Sequence, residues 1–183
     1  KFEKVEHRVP MLSIDDVFTE KDVMDWENYV RRLAPGEHLN YFCELKIDGF
    51  AISLIYKDGL LARAATRGNG KVGEDVTLNI KTVESVPLSL EIHKKTPVKI
   101  EKHLRKIIGN GDLEVRGEVY MDKKTFVEIN REQKKRGEKE YANPRNLAAG
   151  SVRQLNPKLT ASRGLKFLAY DMVGNVGQTK HSE

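Results

Sequence analysis

The segment Cys43-Glu44-Leu45-Lys46-Ile47-Asp48-Gly49 sets a lysine between two carboxylates, just ahead of a glycine. Strict alternation would put Glu44, Lys46 and Asp48 on one face of a strand and Cys43, Leu45 and Ile47 on the other. A lysine so flanked, beside a glycine that lets a second backbone come close, has the makings of a nucleophile. A free lysine has a pKa near 10.4, so only about one in a thousand is neutral near pH 7.4, a penalty of about 4 kcal/mol. Attack on phosphorus needs that neutral amine. Glu44 and Asp48 alone would raise the pKa, whereas burial or a neighbouring cation would lower it. The scheme therefore needs a metal ion or an arginine to screen the carboxylates, or a carboxylate that accepts the proton. A divalent ion, Mg2+, is the expectation. The plain alternative is a solvated salt bridge on a surface strand, because K-x-D-G by itself is a short pattern.

A second segment repeats the design. In Leu113 to Tyr120, the residues Glu114, Arg116, Glu118 and Tyr120 oppose Leu113, Val115, Gly117 and Val119. Two such strands would line a polar cleft above an apolar core. Glu118 then suits a ribose hydroxyl or a metal, or else an interstrand ion pair with Arg116 or Lys46. Arg67 stands at the mouth of a glycine-rich run, Arg67-Gly68-Asn69-Gly70-Lys71-Val72-Gly73. The glycines permit close approach to phosphate or ribose, and the guanidinium offers a bidentate fork. No G-x-x-x-x-G-K-[ST] is present, so a P-loop is not supported. Arg145 and Arg153 are eight apart after Asn143-Pro144; on one helix they would share a face, about 12 Å apart, and suit two anionic groups. The alternative is a packed helix with solvated arginines. The charged run Arg131 to Lys139 reads as a solvated helix end, and the histidines show no metal-ligand spacing.

The elements that must position these groups are legible in outline. Residues 1–18 read as irregular. Thr19 to Asp22 resembles a capping box, followed by the stripe Val23, Trp26, Val30, Leu33, which makes Trp26 a core residue. Residues 41–47, 50–57 and 60–66 read as an antiparallel meander with Asp58-Gly59 as its second turn, placing Lys46 near the end of the first strand. A short helix from Glu74 to about Val83, a helix over 99–108, a strand over 113–121 and a helix over 123–136 capped by Asp122 follow. Asn143 caps a helix running to about Leu155, 165–172 is a last strand, and 173–183 is a frayed tail. Sheets with inserted helices argue for an α+β fold of one domain.

Hydrophobic residues make up 39% and charged residues 32% of the 183, with a net charge of +5 and a pI of about 9.2. This is an ordinary balance with a mild excess of positive charge, compatible with a polyanionic partner. One cysteine rules out an internal disulfide, and Cys43 is expected to be a small buried hydrophobe. No run approaches the ~18 apolar residues of a membrane span. No signal peptide is visible, so a cytoplasmic location is expected. The chain starts at Lys1 rather than Met, and the expectation is a piece of something longer.

Taken in order, these segments resemble the adenylation domain of bacterial NAD-dependent DNA ligases. His7-Arg8-Val9-Pro10-Met11-Leu12-Ser13-Ile14 is similar to H-x-x-P-M-L-S-L, and Glu44 to Gly49 to E-L-K-x-D-G. Ala65 to Gly70 with Gly73 to Thr77 resembles A-T-R-G-D-G and G-E-D-x-T. Val115 to Val119 resembles V-R-G-E-V, and Asn143 to Pro157 resembles N-P-R-N-x-A-A-G-S-x-R-Q-L-D-P. The resemblance spans about residues 7–172 and is weak from about 88 to 112.

The resemblance implies a nucleotidyltransferase (ATP-grasp-like) core in which Lys46 attacks the adenylyl phosphorus of NAD and Asp48 supports the reaction centre. It places Ser13, Ile14 and Glu44 around the adenine and Arg67 and Glu118 at ribose and phosphate. Tyr170 would stack on the base, and Arg145 and Arg153 would serve nicked DNA or the adenylyl phosphate. Asp48 and Glu118 are the candidate ligands for Mg2+. The implied protein is a monomer acting in replication and repair, without a membrane. Asn69 and Asn156 stand where the family pattern has Asp. The family's N-terminal nicotinamide-mononucleotide module is absent from these 183 residues. So are the late lysine motifs and the OB, zinc, helix-hairpin-helix and BRCT modules. The expectation is therefore an incomplete adenylation domain that does not ligate alone. An ATP-dependent ligase or capping enzyme shares K-x-D-G, but the Arg67 turn and the Asn143–Pro157 segment argue against it. A non-catalytic nucleic-acid-binding domain is the reading from another class.

Overall fold

The alternation in residues 50–57, 60–66 and 113–121 does become an antiparallel sheet. The computed structural model describes residues 1–94, 96, 98–109 and 112–173. The chain runs β1 (Lys4–Glu6), α1 (Glu20–Leu33), β2 (Phe50–Lys57), β3 (Leu60–Thr66), β4 (Val72–Glu74), α2 (Thr77–Ile80), α3 (Val98–Gly109), β5 (Asp112–Tyr120), α4 (Lys123–Lys135), α5 (Pro144–Val152), α6 (Pro157–Ala161) and β6 (Lys166–Val173). The main sheet has the order β3-β2-β5-β6 with antiparallel neighbours, and β1 pairs with β4 in a two-stranded ribbon. This is α+β, as expected. The β2–β3 hairpin turns at Asp58 and Gly59, with φ of +49° and +78°, the left-handed pair that matches strand twist.

Pairing of β2 with β5 sorts the side chains. Ile52, Leu54 and Tyr56 lie in register with Gly117, Val115 and Leu113. They form the core with Ile80, Val83, Leu147, Ala148 and Val152. The other face presents Ala51 opposite Glu118, Ser53 opposite Arg116 and Ile55 opposite Glu114. Helix caps fix the covering layer. Asn143 Oδ1 accepts from the Asn146 N–H at 2.8 Å, and Asn156 Oδ1 from the Lys158 N–H at 3.0 Å, each with Pro at the next position. Asn156 thus does a capping residue's work where the family pattern has Asp.

Asp122 caps α4 by accepting from the Thr125 N–H at 2.8 Å and pairs with Lys166 at 2.8 Å. The Lys166 ammonium first, then the Thr125 donors, hold its carboxyl well below the ordinary value of 3.8. Asp122→Ala should cost about 1 kcal/mol, mostly the cap, since the ion pair is exposed and screened. A depressed folded pKa makes this contribution full above the unfolded value, near pH 4, and removes it as pH falls further. Urea unfolding of the two proteins should therefore differ at pH 7 and converge on acidification.

Several expectations are corrected. Residues 41–47 form no strand: their alternation describes a face, but a strand also needs the regular ladder of a neighbouring one. The meander therefore begins at Phe50, and Lys46 lies on the irregular segment leading into it. Helix α1 carries the expected capping box, with Thr19 and Asp22 each accepting from the other's N–H. Yet it buries none of its residues. Trp26 is 46% exposed, packed against Tyr41 with ring centroids 5.8 Å apart. Cys43 is exposed too. Both residues lie off the sheet that holds the core. Glu114 and Arg116 are not on the wall of the main cleft with Glu118: they are buried as an ion pair at 2.8 Å, and Glu114 borders a smaller pocket on the other side of the N-terminal segment. The N-terminal 18 residues contain β1. The helix expected from Glu74 reduces to α2, because Glu74 belongs to β4 and Asp75 accepts from the Thr77 N–H at 2.9 Å. The helix from Asn143 stops at Val152, and α6 follows separately. Of the expected frayed tail, 174–183 falls outside the described residues.

Candidate functional site

A glycine brings the Lys46 segment onto the sheet. A Cβ on Gly49 would lie 2.3 Å from the Val119 carbonyl oxygen and 2.9 Å from Glu118 Cγ. The backbone of the lysine segment therefore touches β5, and the Gly49 N–H donates to the Glu118 carboxylate. Gly49→Ala should force these backbones apart. It should cost about 1–3 kcal/mol, as overpacking does, read by urea unfolding.

Around this contact opens a cleft of about 910 Å3. Ser13, Ile14, Glu44, Lys46, Arg67, Glu118, Arg145, Arg153 and Tyr170 all lie on its wall. The sequence placed these residues on segments up to 157 positions apart in the chain, and the fold gathers them. Asp48 is the exception. It is not on the wall, and its carboxylate faces Arg145 Nε at 3.6 Å. Lys46 is exposed as a residue, yet it looks into the cleft, where its charge acts on Glu118.

Glu118 is a half-buried carboxylate of the wall. Burial pushes its carboxyl up; Lys46, Arg145, the Gly49 N–H and Arg67 pull the other way, and burial prevails. Burial also raises the Tyr170 hydroxyl, with the Glu118 charge adding to it. Tyr170 is the unpaired residue of a bulge in β6, between Ala169 opposite Gly117 and Asp171 opposite Arg116. Such bulges re-aim a side chain, and this one brings the ring to the cleft beside Leu168 and Ala169.

The Arg67 turn is built for close approach. Gly68 and Gly70 have φ of +57° and +89°. A Cβ on Gly73 would sit 1.8 Å from the Thr66 carbonyl oxygen. Asn69 Oδ1 accepts from the N–H groups of Lys71 and Val72 at 3.0 and 2.8 Å, so Asn serves the turn here as an Asx acceptor. Arg67 Nη1 donates to Ser13 Oγ at 3.0 Å. Arg153 lies one residue past α5 and pairs with Glu74 at 2.8 Å.

Glu74, Lys4 and Leu168 also line the cleft, and the sequence reading assigned them no role. Glu74 stands inside the G-E-D-x-T segment, but nothing along the chain signals that it meets Arg153. No group of three or more His, Cys, Asp and Glu side chains suited to a metal ion forms among the described residues.

The family model for the NAD-dependent DNA ligase adenylation domain matches residues 1–183. This chain belongs to that family. Among curated relatives, the DNA ligase of Halothermothrix orenii is 49% identical over 178 residues, covering 97% of this chain and 24% of the relative. That of Carboxydothermus hydrogenoformans is 46% identical over 176 residues, 96% of this chain and 24% of the relative. That of Brevibacillus brevis is 47% identical over 184 residues, 100% of this chain and 25% of the relative. The chain thus spans about a quarter of the length of the ligases it matches. Family membership agrees with the resemblance read from the ordered motifs, and against the capping-enzyme and ATP-dependent alternatives. No helix among the described residues is long and apolar enough to cross a membrane.

Proposed function

We propose that this chain is the AMP-holding part of an NAD-dependent DNA ligase, with a nucleotidyltransferase core and Lys46 as its nucleophile. The observation that carries the reading is the single cleft shared by Lys46, Glu118, Arg67, Arg145, Arg153 and Tyr170. Its volume is within the range of small-molecule sites. In this reading Lys46 Nζ, once neutral, attacks the adenylyl phosphorus of NAD. A P–N bond forms, the P–O bond to nicotinamide mononucleotide breaks, and AMP remains on the lysine as a phosphoramide. Ser13, Ile14 and Glu44 would surround the adenine, Tyr170 would stack on it, and Glu118 would take the ribose hydroxyls. Arg67, Arg145 and Arg153 would neutralise phosphate charge, the main electrostatic demand of phosphoryl transfer.

AMP would then pass to the 5′-phosphate of a nick in double-stranded DNA, and the 3′-hydroxyl would displace it to seal the strand. This sealing, in cytoplasmic replication and repair, belongs to a monomeric protein of the relatives' full length. The 183 residues alone are not expected to ligate. Mg2+ commonly takes one or two carboxylates together with substrate phosphates. Glu118 supplies one carboxylate in the cleft, while Asp48 turns to Arg145. Glu118 is the carboxylate that would help hold such an ion, and the ion would supply positive charge to offset that of the phosphates.

The test is intact mass spectrometry after incubation with NAD and Mg2+, alongside titration of NAD, ATP and AMP. An AMP-sized increment from NAD, and none from ATP, is expected. An increment from ATP alone, or no measurable binding of NAD or AMP at millimolar concentration, would overturn the reading.

A further inference from the structure

The residues that present Arg67 are gripped by a strap at the N-terminus. Beyond β1, the strap lays His7 to Ser13 across the glycine-rich turn. The His7 N–H donates to the Lys71 carbonyl at 2.9 Å, and the Met11 N–H to the Gly70 carbonyl at 2.8 Å. The His7 ring closes the other side: Nε2 lies 3.1 Å from the Thr66 carbonyl oxygen and 3.2 Å from that of Arg67. Both partners only accept, so Nε2 carries the proton and donates to the pair. His7 therefore holds the first residues of the turn with its ring and the last with its backbone. The tight fit extends to Gly73, where a Cβ would come within 3.1 Å of Nε2. The same strap continues to Ser13, whose hydroxyl meets the Arg67 guanidinium. One short segment thus fixes Arg67 at its main chain and at its tip.

We infer that His7 is a positioning residue, which sets the Arg67 guanidinium in the cleft by bridging the Thr66 and Arg67 carbonyls. The inference rests on the AMP-site reading only for what Arg67 would bind; the bridge itself is geometry. His7 is not on the cleft wall and lies outside the core cluster, so the fold should survive its replacement.

The experiment compares His7→Phe, which keeps a ring and loses the donor, with His7→Gln, which offers an amide N–H at similar reach. In the 183-residue chain, 15N relaxation of residues 66–71 is measured without ligand, and AMP is titrated as the probe. His7→Phe should mobilise the turn and weaken AMP about fivefold, the order expected for one lost hydrogen bond. His7→Gln should restore both within twofold. In an Arg67→Ala background, His7→Phe should add less than twofold, since the two act through one group. An unchanged turn in His7→Phe, no rescue by Gln, or fully additive losses would each overturn the inference. If the parent chain binds no AMP, the nucleotide reading fails on its own, and the relaxation data still decide the role of His7. Should His7→Phe not fold, relaxation and AMP affinity in His7→Gln and His7→Asn decide instead: Gln should match the parent, while the shorter Asn should behave as a lost donor.

Discussion

Lys46→Ala is expected to form no protein–AMP adduct with NAD and Mg2+, and Lys46→Arg is expected to form none either. The chemistry asks for an amine that can shed its proton at the reacting phosphorus. An arginine keeps the charge but does not deprotonate at working pH. The one other lysine on the cleft wall is Lys4, and its ammonium is engaged by the Glu74 carboxylate at 3.5 Å. No second nucleophile of the same kind therefore stands ready. Glu118 and the arginines remain in both variants, so AMP should still bind, and titration beside the mass measurement separates loss of chemistry from loss of the site. An adduct that persists in Lys46→Ala would move the nucleophile elsewhere.

Arg116→Ala is expected to be the most destabilising single change, at about 3–5 kcal/mol, the usual cost of breaking a buried ion pair. Arg116 and Glu114 keep only 9% and 8% of their side-chain surfaces. Arg116 Nε donates to Glu114 Oε1 at 2.8 Å, and Ser53 Oγ donates to the same oxygen at 2.8 Å. The far end of the guanidinium reaches the strap: Nη2 donates to the Val9 carbonyl at 2.6 Å and Nη1 to that of Pro10 at 3.2 Å. Removing it would leave a buried carboxylate without its cation and two strap carbonyls without a donor. Replacing both partners with apolar residues, Arg116→Met with Glu114→Leu, should recover most of the loss, because no uncompensated charge remains. Urea unfolding of the single and double variants measures this. The double variant should still loosen residues 9–10, a local effect visible in amide hydrogen exchange.

The strap explains why the charged face of β5 was misjudged from sequence. Period-two alternation correctly separates Glu114, Arg116 and Glu118 from Leu113, Val115 and Val119. It carries no information on what covers the charged side. Over Glu118 the cover is open space and ligand-sized. Over Glu114 and Arg116 it is the N-terminal segment, more than a hundred residues earlier, whose carbonyls need donors. The same limit applies to residues 41–47, whose alternation was real but which form no strand. It applies to Trp26 as well, whose helical stripe faces no core.

What the residues determine locally is considerable. The caps at Thr19, Asp122 and Asn143, the left-handed turn at Asp58-Gly59 and the Gly68–Gly73 turn are short-range hydrogen-bond and backbone constraints, and the sequence states them directly. The ordered motifs also identify the family, because several short patterns occur along the chain in the family's order. Which of them meet was decided only by tertiary structure. Gly49 against Val119, Arg153 against Glu74, His7 under Arg67 and the Tyr170 bulge opposite Arg116 each join segments far apart in sequence. Their pairing depends on sheet register and on which segment lies over which face. Those are properties of the packed whole, set by burial and by the need to satisfy every enclosed polar group.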